Sequence, residues 1–307
     1  MLERLPTGSR IAVIRLRSLG DCVLMTPALA LLKAHRSDLR IAVVVEDRFR
    51  AVFEGSADVD EILAPAARAI AKWRPKMALN FHGGSRSMWL AAASGAEIRA
   101  GFAHHAYSFL YNAKIPRAQT ILALESSGEA RRMHTAEHLA SAMFWIGVPR
   151  TEIPRARLTL TAEAPVLPGA YAIFHPFASL PSKTWPAALF IQVGEHLRNR
   201  ARLEPVFLAG PADDASAFAG FRVIRNAPLA QVKSIVAGAQ LFIGNDSGPA
   251  HIAAAFGVPV VVLFGPSDPV NWAPWRTDAH VLTNPAGMDR ITVGEVIAAA
   301  EALRVRA

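Results

Sequence analysis

Gly244-Asn245-Asp246-Ser247-Gly248-Pro249-Ala250-His251 is the stretch on which the reading of this sequence turns. An apolar run, Leu241 to Ile243, leads into it. A helical pattern, His251 to Phe256, leaves it, and a second strand-like run, Val258 to Phe264, follows. The spacing predicts a strand, a tight glycine-bearing turn, a helix and a strand, with polar groups gathered in the turn. Pro249 suits the first helical turn, where its missing N–H costs little, and Ser247 or Gly248 can cap. Backbone N–H groups at such a turn, at the carboxyl end of a strand, form a seat for a phosphate or diphosphate. A well-capped βαβ unit with no ligand satisfies the same spacing.

The same rhythm runs outward in both directions. In the first half, strand-like runs are expected at Arg10 to Leu16, Ile41 to Val45 and Met77 to Phe81. Helices are expected at Thr26 to Ala34, with Thr26 as N-cap and Pro27 at the first helical position, at Ala66 to Trp73, near Ser87 to Ala93, and at His134 to Ile146 before the stop signal Gly147 and Pro149. A linker, Arg150 to Pro168, carries Pro154, Pro165 and Pro168. Beyond it, strands are expected at Tyr171 to His175, Pro205 to Leu208, Leu241 to Ile243 and Val260 to Phe264. Helices are expected at Pro186 to Arg198, Leu229 to Ala237, Pro249 to Phe256 and Val293 to Leu303. Alternating strands and helices on both sides of a proline-bearing linker predict two parallel-sheet α/β domains, residues 1–160 and 161–307, with ligands at the carboxyl ends of the strands.

Composition narrows the function classes. The 307 residues exceed one ordinary core, and 52% hydrophobic against 19% charged residues excludes a disordered chain. The net charge of +8 favours anionic partners, but the Lys and Arg residues are scattered in short clusters, which argues against nucleic acid. Cys22 is the single cysteine, so no disulfide framework exists and a reducing compartment fits. Neither a signal-peptide core nor a spanning apolar run stands out, so a cytoplasmic protein is expected, with peripheral contact at an acidic membrane surface compatible with the charge.

Four turns after expected strands hold groups suited to anion or hydroxyl chemistry. In Ser18-Leu19-Gly20-Asp21, Gly20 permits a tight bend, and Asp21 either caps a helix or accepts a proton from a substrate hydroxyl. In His82-Gly83-Gly84-Ser85-Arg86-Ser87, Arg86 and Ser87 are oxyanion partners or parts of a surface turn. In Ser182-Lys183-Thr184-Trp185-Pro186, Lys183 pairs with a diphosphate or is a solvated loop lysine. The fourth is the Asp246-Ser247-Gly248 turn, continued at the same rim by Gly265-Pro266-Ser267-Asp268. His134 and His138 share a helix face, yet no third ligand at metal spacing accompanies them, so no metal is expected. His104-His105 reads as a polar loop. A dinucleotide fingerprint and a P-loop are both missing from the sequence, and no cofactor is expected.

These motifs, taken in order, resemble glycosyltransferase family 9, the ADP-heptose:lipopolysaccharide heptosyltransferases and their relatives. The resemblance rests on Arg15-Leu16-Arg17-Ser18-Leu19-Gly20-Asp21 followed by Thr26-Pro27-Ala28-Leu29, on Phe81 to Ser87, Lys183 to Pro186, Gly244 to His251, and Leu263 to Pro269. It implies a GT-B fold, two Rossmann-like domains facing across a cleft, with the acceptor on the N-terminal domain, the nucleotide sugar on the C-terminal domain, and a final helix that packs back on the first domain. It implies that Asp21 is the general base and that Lys183 contacts the donor phosphates. It further implies donor contacts from Asp246, Ser247, Gly248 and Pro249, with Asp213 near the ribose, and an acceptor side built from Ser18, Gly20, His82, Arg86 and Ser87. The implied activity is metal-independent inverting transfer of a sugar, heptose from ADP-heptose first, to a phosphorylated or acidic glycolipid such as a lipopolysaccharide core. The alternatives are a nucleotide-sugar epimerase or hydrolase of the same fold, and a non-catalytic nucleotide- or glycan-binding homologue. Neither the +8 charge nor the segment Gly101 to Ile115 identifies the acceptor.

Overall fold

The longest apolar runs form the centres of two six-stranded parallel sheets. The computed structural model describes residues 1–122, 131–162 and 167–304. The chain divides into two compact units, Met1–Thr159 and Leu160–Ala307. Of the linker prolines, Pro165 lies outside the described residues.

The first unit runs β1 (Arg10–Ile14), α1 (Leu19–His35), β2 (Arg40–Val44), β3 (Glu61–Leu63), α2 (Ala67–Trp73), β4 (Met77–Asn80), α3 (Ser85–Ala92), β5 (Ile98–Phe102), β6 (Ala113–Ile115), α4 (Ala118–Leu122) and α5 (Thr135–Ile146). Its strand order is β3-β2-β1-β4-β5-β6. Ile11–Ile14 and Ile41–Val44 are wholly buried, as strands covered by helices on both faces must be. Each of the Ile and Val side chains among them contributes about 1.5–3 kcal/mol on burial.

The second unit runs β7 (Tyr171–His175), α6 (Ala187–His196), β8 (Glu204–Ala209), β9 (Arg222–Arg225), α7 (Leu229–Ala237), β10 (Leu241–Asn245), α8 (Gly248–Phe256), β11 (Val260–Phe264), α9 (Pro269–Trp272), β12 (Ala279–Thr283) and α10 (Val293–Arg304). Its order, β12-β11-β10-β7-β8-β9, repeats the first when each unit is numbered from its own first strand. Both are therefore Rossmann-like, with a switch point between β1 and β4 in one and between β7 and β10 in the other. The final helix α10 packs on α6, β10, β11 and β12 of its own unit.

Two helix starts differ from the sequence expectation. Helix α1 begins at Leu19 rather than Thr26, so Asp21 sits in its first turn and Pro27 lies inside it. The Asp21 carboxylate accepts from the Ser18 N–H (3.1 Å) and Oγ–H (3.0 Å), which secures the earlier start. Pro27 has no N–H to give the Val23 carbonyl, and the Thr26 hydroxyl donates to that carbonyl instead (2.8 Å). Thr26 is thus a repair to the helix ladder and not its cap. Helix α3 begins at Ser85, two residues early, which places Arg86 and Ser87 within a helix. The strands β3, β6, β9 and β12 escaped the apolar pattern because they are edge strands with exposed or part-exposed side chains, and β5 because Arg99 and Gly101 interrupt its apolar residues.

Each unit ends its switch strand in a fully buried asparagine, Asn80 on β4 and Asn245 on β10. Asn80 Nδ2 donates to Tyr111 Oη (2.8 Å) and Ser87 Oγ (3.1 Å), and its Oδ1 accepts from the His82 N–H (3.0 Å). Asn245 Nδ2 donates to the Pro176 carbonyl (2.8 Å), and its Oδ1 accepts from the Trp185 N–H (3.1 Å). Each amide therefore ties the loops that leave the switch point. Asn245→Ala should lower stability by about 1–3 kcal/mol for each backbone group left unpaired, read as a lower urea midpoint. An unchanged midpoint would contradict this role.

Candidate active site

At the switch point of the first unit, β1 delivers Arg15 and α1 delivers Asp21. Arg15 Nη2 forms an ion pair with Asp21 Oδ1, and Arg15 Nη1 donates to the Phe81 carbonyl beyond β4. The pair is largely shielded, with side chains 12% and 13% exposed. Asp21 is thus held on both oxygens, by Arg15 and by Ser18. His82, which follows β4, joins this group. Burial depresses its pKa first, then the nearby Arg15 and Arg17, while a hydrogen bond to the Arg17 backbone and the Asp21 charge oppose them. Gly20 is buried in the first turn of α1.

The remaining residues expected on this side are placed elsewhere. The fully buried Ser87 donates its hydroxyl to the Gly84 carbonyl (2.7 Å) and serves the start of α3. Arg86 reaches the Pro65 carbonyl (3.3 Å) and lies 3.8 Å from Glu46. Cys22 is buried and free, its thiol pushed up to about 12 by burial, so it is inert as a nucleophile.

At the switch point of the second unit, Lys183 Nζ lies 3.3 Å from Asp246 Oδ2. Two residues after Lys183, Trp185 is completely buried, stacks edge-on against Phe190 (centroids 4.9 Å apart), and donates its indole N–H to the Ile291 carbonyl (2.9 Å). This anchor and Asn245 set where the Lys183 loop runs. Gly265 makes room for it, because a Cβ there would lie 2.5 Å from the Ser182 carbonyl oxygen.

Ser247 is the N-cap residue of α8, yet its side chain does not cap the helix. Its hydroxyl instead lies 3.0 Å from His175 Nδ1 at the end of β7, hydrogen-bonded to it. The first amides of α8, starting at Gly248 and with Pro249 in the first turn, are thus left uncapped by Ser247 beside Lys183. Aligned peptide dipoles and an ammonium at one helix start make an anion seat. His175 is held down to about 4 by burial, against the opposing pull of Asp213. Asp213 accepts from the Gly210 N–H (2.7 Å) and stabilises the turn after β8. Asp268 caps α9 by accepting from the Val270 N–H (3.0 Å).

Sequence reasoning missed Arg15, His175 and both asparagines as organising groups. The available signal was an asparagine closing an apolar run in each half, at Asn80 and Asn245. Among the described residues no group of three or more His, Cys, Asp or Glu side chains is arranged to hold a metal ion, and no helix is long and apolar enough to cross a membrane. His134 is the N-cap residue of α5, its Nδ1 accepting from the Ala136 N–H (3.1 Å), whereas His138 stacks on Phe102.

The histidines give a pH dependence. His105, His138 and His175 are all held down to about 4, chiefly by burial, against an ordinary value of 6.5. Between those values the unfolded chain binds protons that the folded chain does not, so stability falls as pH drops from about 6.5 towards 4. Urea midpoints should fall steadily across this interval, and the fall should be shallower in His138→Gln. A flat profile would contradict the assignment.

Comparisons with known proteins bear on the family and the fold. The sequence pattern of glycosyltransferase family 9 (heptosyltransferase) matches residues 67–293. Lipopolysaccharide heptosyltransferase 3 of Escherichia coli is 34% identical over 35% of this chain and 35% of its own length. The chain matches about a third to a half of the length of its curated relatives. Among solved structures, a family 9 glycosyl transferase from Veillonella parvula superposes with a TM-score of 0.84 at 23% identity, covering 97% of this chain and 98% of that one. The E. coli ADP-heptose lps heptosyltransferase II superposes at 0.77 with 19% identity, covering 97% and 99%. These superpositions carry the fold, two Rossmann-like units as the resemblance implied. The sequence match carries the family, and the chain belongs to glycosyltransferase family 9.

Proposed function

We propose that the protein is a metal-independent inverting glycosyltransferase, with residues 1–160 binding the acceptor and residues 161–307 binding a nucleotide-diphosphate sugar. The observation that carries this reading is the second switch point, where Lys183, the first turn of α8 and Asp246 gather around one helix start. The first donor to test is ADP-heptose, the sugar nucleotide named for the E. coli relative of like fold. The acceptor is a phosphorylated or acidic glycolipid of the lipopolysaccharide-core type. A cytoplasmic station with peripheral contact at the inner face of the membrane accords with the +8 charge and with the exposed aromatics Trp89, Tyr107 and Phe109 of the first unit.

In this mechanism the acceptor hydroxyl attacks the anomeric carbon as the bond to the diphosphate breaks. Positive charge builds on the sugar ring and negative charge on the departing β-phosphate. Lys183, with three N–H donors, answers the phosphate charge while keeping its contact with Asp246, and the α8 amides add to it. Asp246 faces the sugar, Ser247 is positioned by His175, and Asp213 lies toward the ribose. The hydroxyl proton passes to Asp21. As it arrives, the Arg15–Asp21 ion pair weakens, and Arg15 retains its second bond, to the Phe81 carbonyl. Ser18, Gly20 and His82 shape the ground around that carboxylate.

Asp21→Ala should abolish transfer, by at least about a hundredfold for a general base, with ADP affinity unchanged. Lys183→Ala should weaken ADP binding or slow leaving-group departure. Product analysis with ADP-heptose and acceptor, in EDTA, is the test. Near-normal turnover by Asp21→Ala contradicts the base assignment. Donor consumption without acceptor points to an epimerase or hydrolase, and nucleotide binding with no turnover points to a non-catalytic homologue.

A further inference from the structure

The first unit gathers four imidazoles that the mechanism above leaves largely unused. His104 and His105 follow β5 and pack on Phe102, with ring centroids 5.5 and 5.7 Å from it. His138, from α5, stacks on the same ring at 4.0 Å and lies 5.7 Å from His104. His104 and His105 meet edge to face at 4.9 Å. The His105 ring also rests on Gly83, next to His82. Gly83 has φ +75°, and a Cβ there would come within 2.7 Å of His105 Nε2, so the glycine is required by both backbone and neighbour. The buried Nδ1 atoms of His82 and His105 have no hydrogen-bond partner among the described residues. Such orphaned polar atoms call for an explanation, and a hydrophobic packing role would be met better by apolar side chains.

The surrounding charge indicates which ligand would satisfy them. From beyond β1, Arg15 acts on His82, His105 and His138 and Arg17 on His82, and Arg117 acts on His104 from beyond β6. On α1, Asp21 is the carboxylate that acts on His82, and it is already paired with Arg15. On α5, Glu137 is engaged with the His134 N–H (3.1 Å) and Arg131 (3.3 Å). Cations and neutral imidazoles thus share one site, with its carboxylates otherwise occupied. An entering oxyanion reverses the balance, since each imidazole that takes up a proton becomes a charged double donor.

We propose that His104, His105 and His138, bordered by Arg15 and Arg117, form a subsite for an oxyanion group carried by the acceptor, and that filling it draws protons onto the imidazoles. The assignment to the acceptor rests on the reading of the first unit given above, whereas the anion seat itself does not. Its consequence is acceptor binding that strengthens as pH falls.

The test is a titration of the histidine Cε1–H resonances in the full chain, with and without sulfate, which stays a dianion throughout the range in which these imidazoles titrate. Resonances are assigned with His105→Gln and His138→Gln. In the free protein the His105 and His138 midpoints lie at about 4. Sulfate should raise them by about one pH unit, and should bind about tenfold more tightly to the charged form. Glucose 6-phosphate should shift the same resonances, and glucose should not. Midpoints of the unaltered protein that ignore sulfate overturn the anion seat, whether or not the variants fold. A response to sulfate without one to the sugar phosphate overturns its assignment to a glycan acceptor. Failure of sugar transfer with the sulfate response intact overturns the enzymatic reading and leaves the anion seat standing.

Discussion

The buried amides of Asn80 and Asn245 are the constraint on which the rest of the structure depends. A parallel sheet opens a crevice where its strand order reverses, but the crevice is useful only if the loops leaving it are held. In each unit one asparagine side chain does this, at the last residue of the strand beside the switch point. Amides suit the task because they donate and accept at once, and being uncharged they bear the low dielectric without a counterion. Asn80 turns the chain into the His82 loop and secures Tyr111 and Ser87. Asn245 joins the exit of β7 to Trp185, and through Trp185 it fixes Lys183.

The same frame carries opposite electrostatics in the two units. The second unit offers a helix start, an ammonium and a serine turned away from capping, all suited to negative charge on a ligand. The first offers a carboxylate held by Arg15 and Ser18, beside imidazoles kept neutral by burial and by neighbouring guanidinium groups. The transfer proposed above uses this division, with one surface to receive a proton and another to receive a departing anion. One architecture thus carries two differently charged crevices, since the fold does not set the chemistry of its sites.

Much of this was legible in the sequence, for definite reasons. The strands β1, β2, β4, β7, β10 and β11 are buried on both faces, so they read as uninterrupted apolar runs. Asp246 and Ser247 follow β10 directly, and Asp21 and Lys183 lie within eight residues of the ends of β1 and β7, so turns after strands were enough to name them as candidates, while their roles rested on the family resemblance. The start of α1 was misread because Thr26-Pro27 imitates a helix start, while the competing cap at Ser18 and Asp21 lies seven residues earlier. Ser87 was misread because a helical pattern does not say which hydroxyl faces the core. The histidine cluster was out of reach altogether. His82, His105 and His138 meet only through the pairing of β4 with β5 and the packing of His138 on Phe102, which no spacing encodes.

The central claim is that the start of α8 and Lys183 hold the diphosphate of the donor. A crystal structure of the protein with ADP, grown in EDTA, tests it most directly. The account predicts the β-phosphate within hydrogen-bonding distance, about 2.7–3.2 Å, of the Gly248 N–H and Lys183 Nζ. A diphosphate bound elsewhere, with Lys183 still paired only to Asp246, would contradict it.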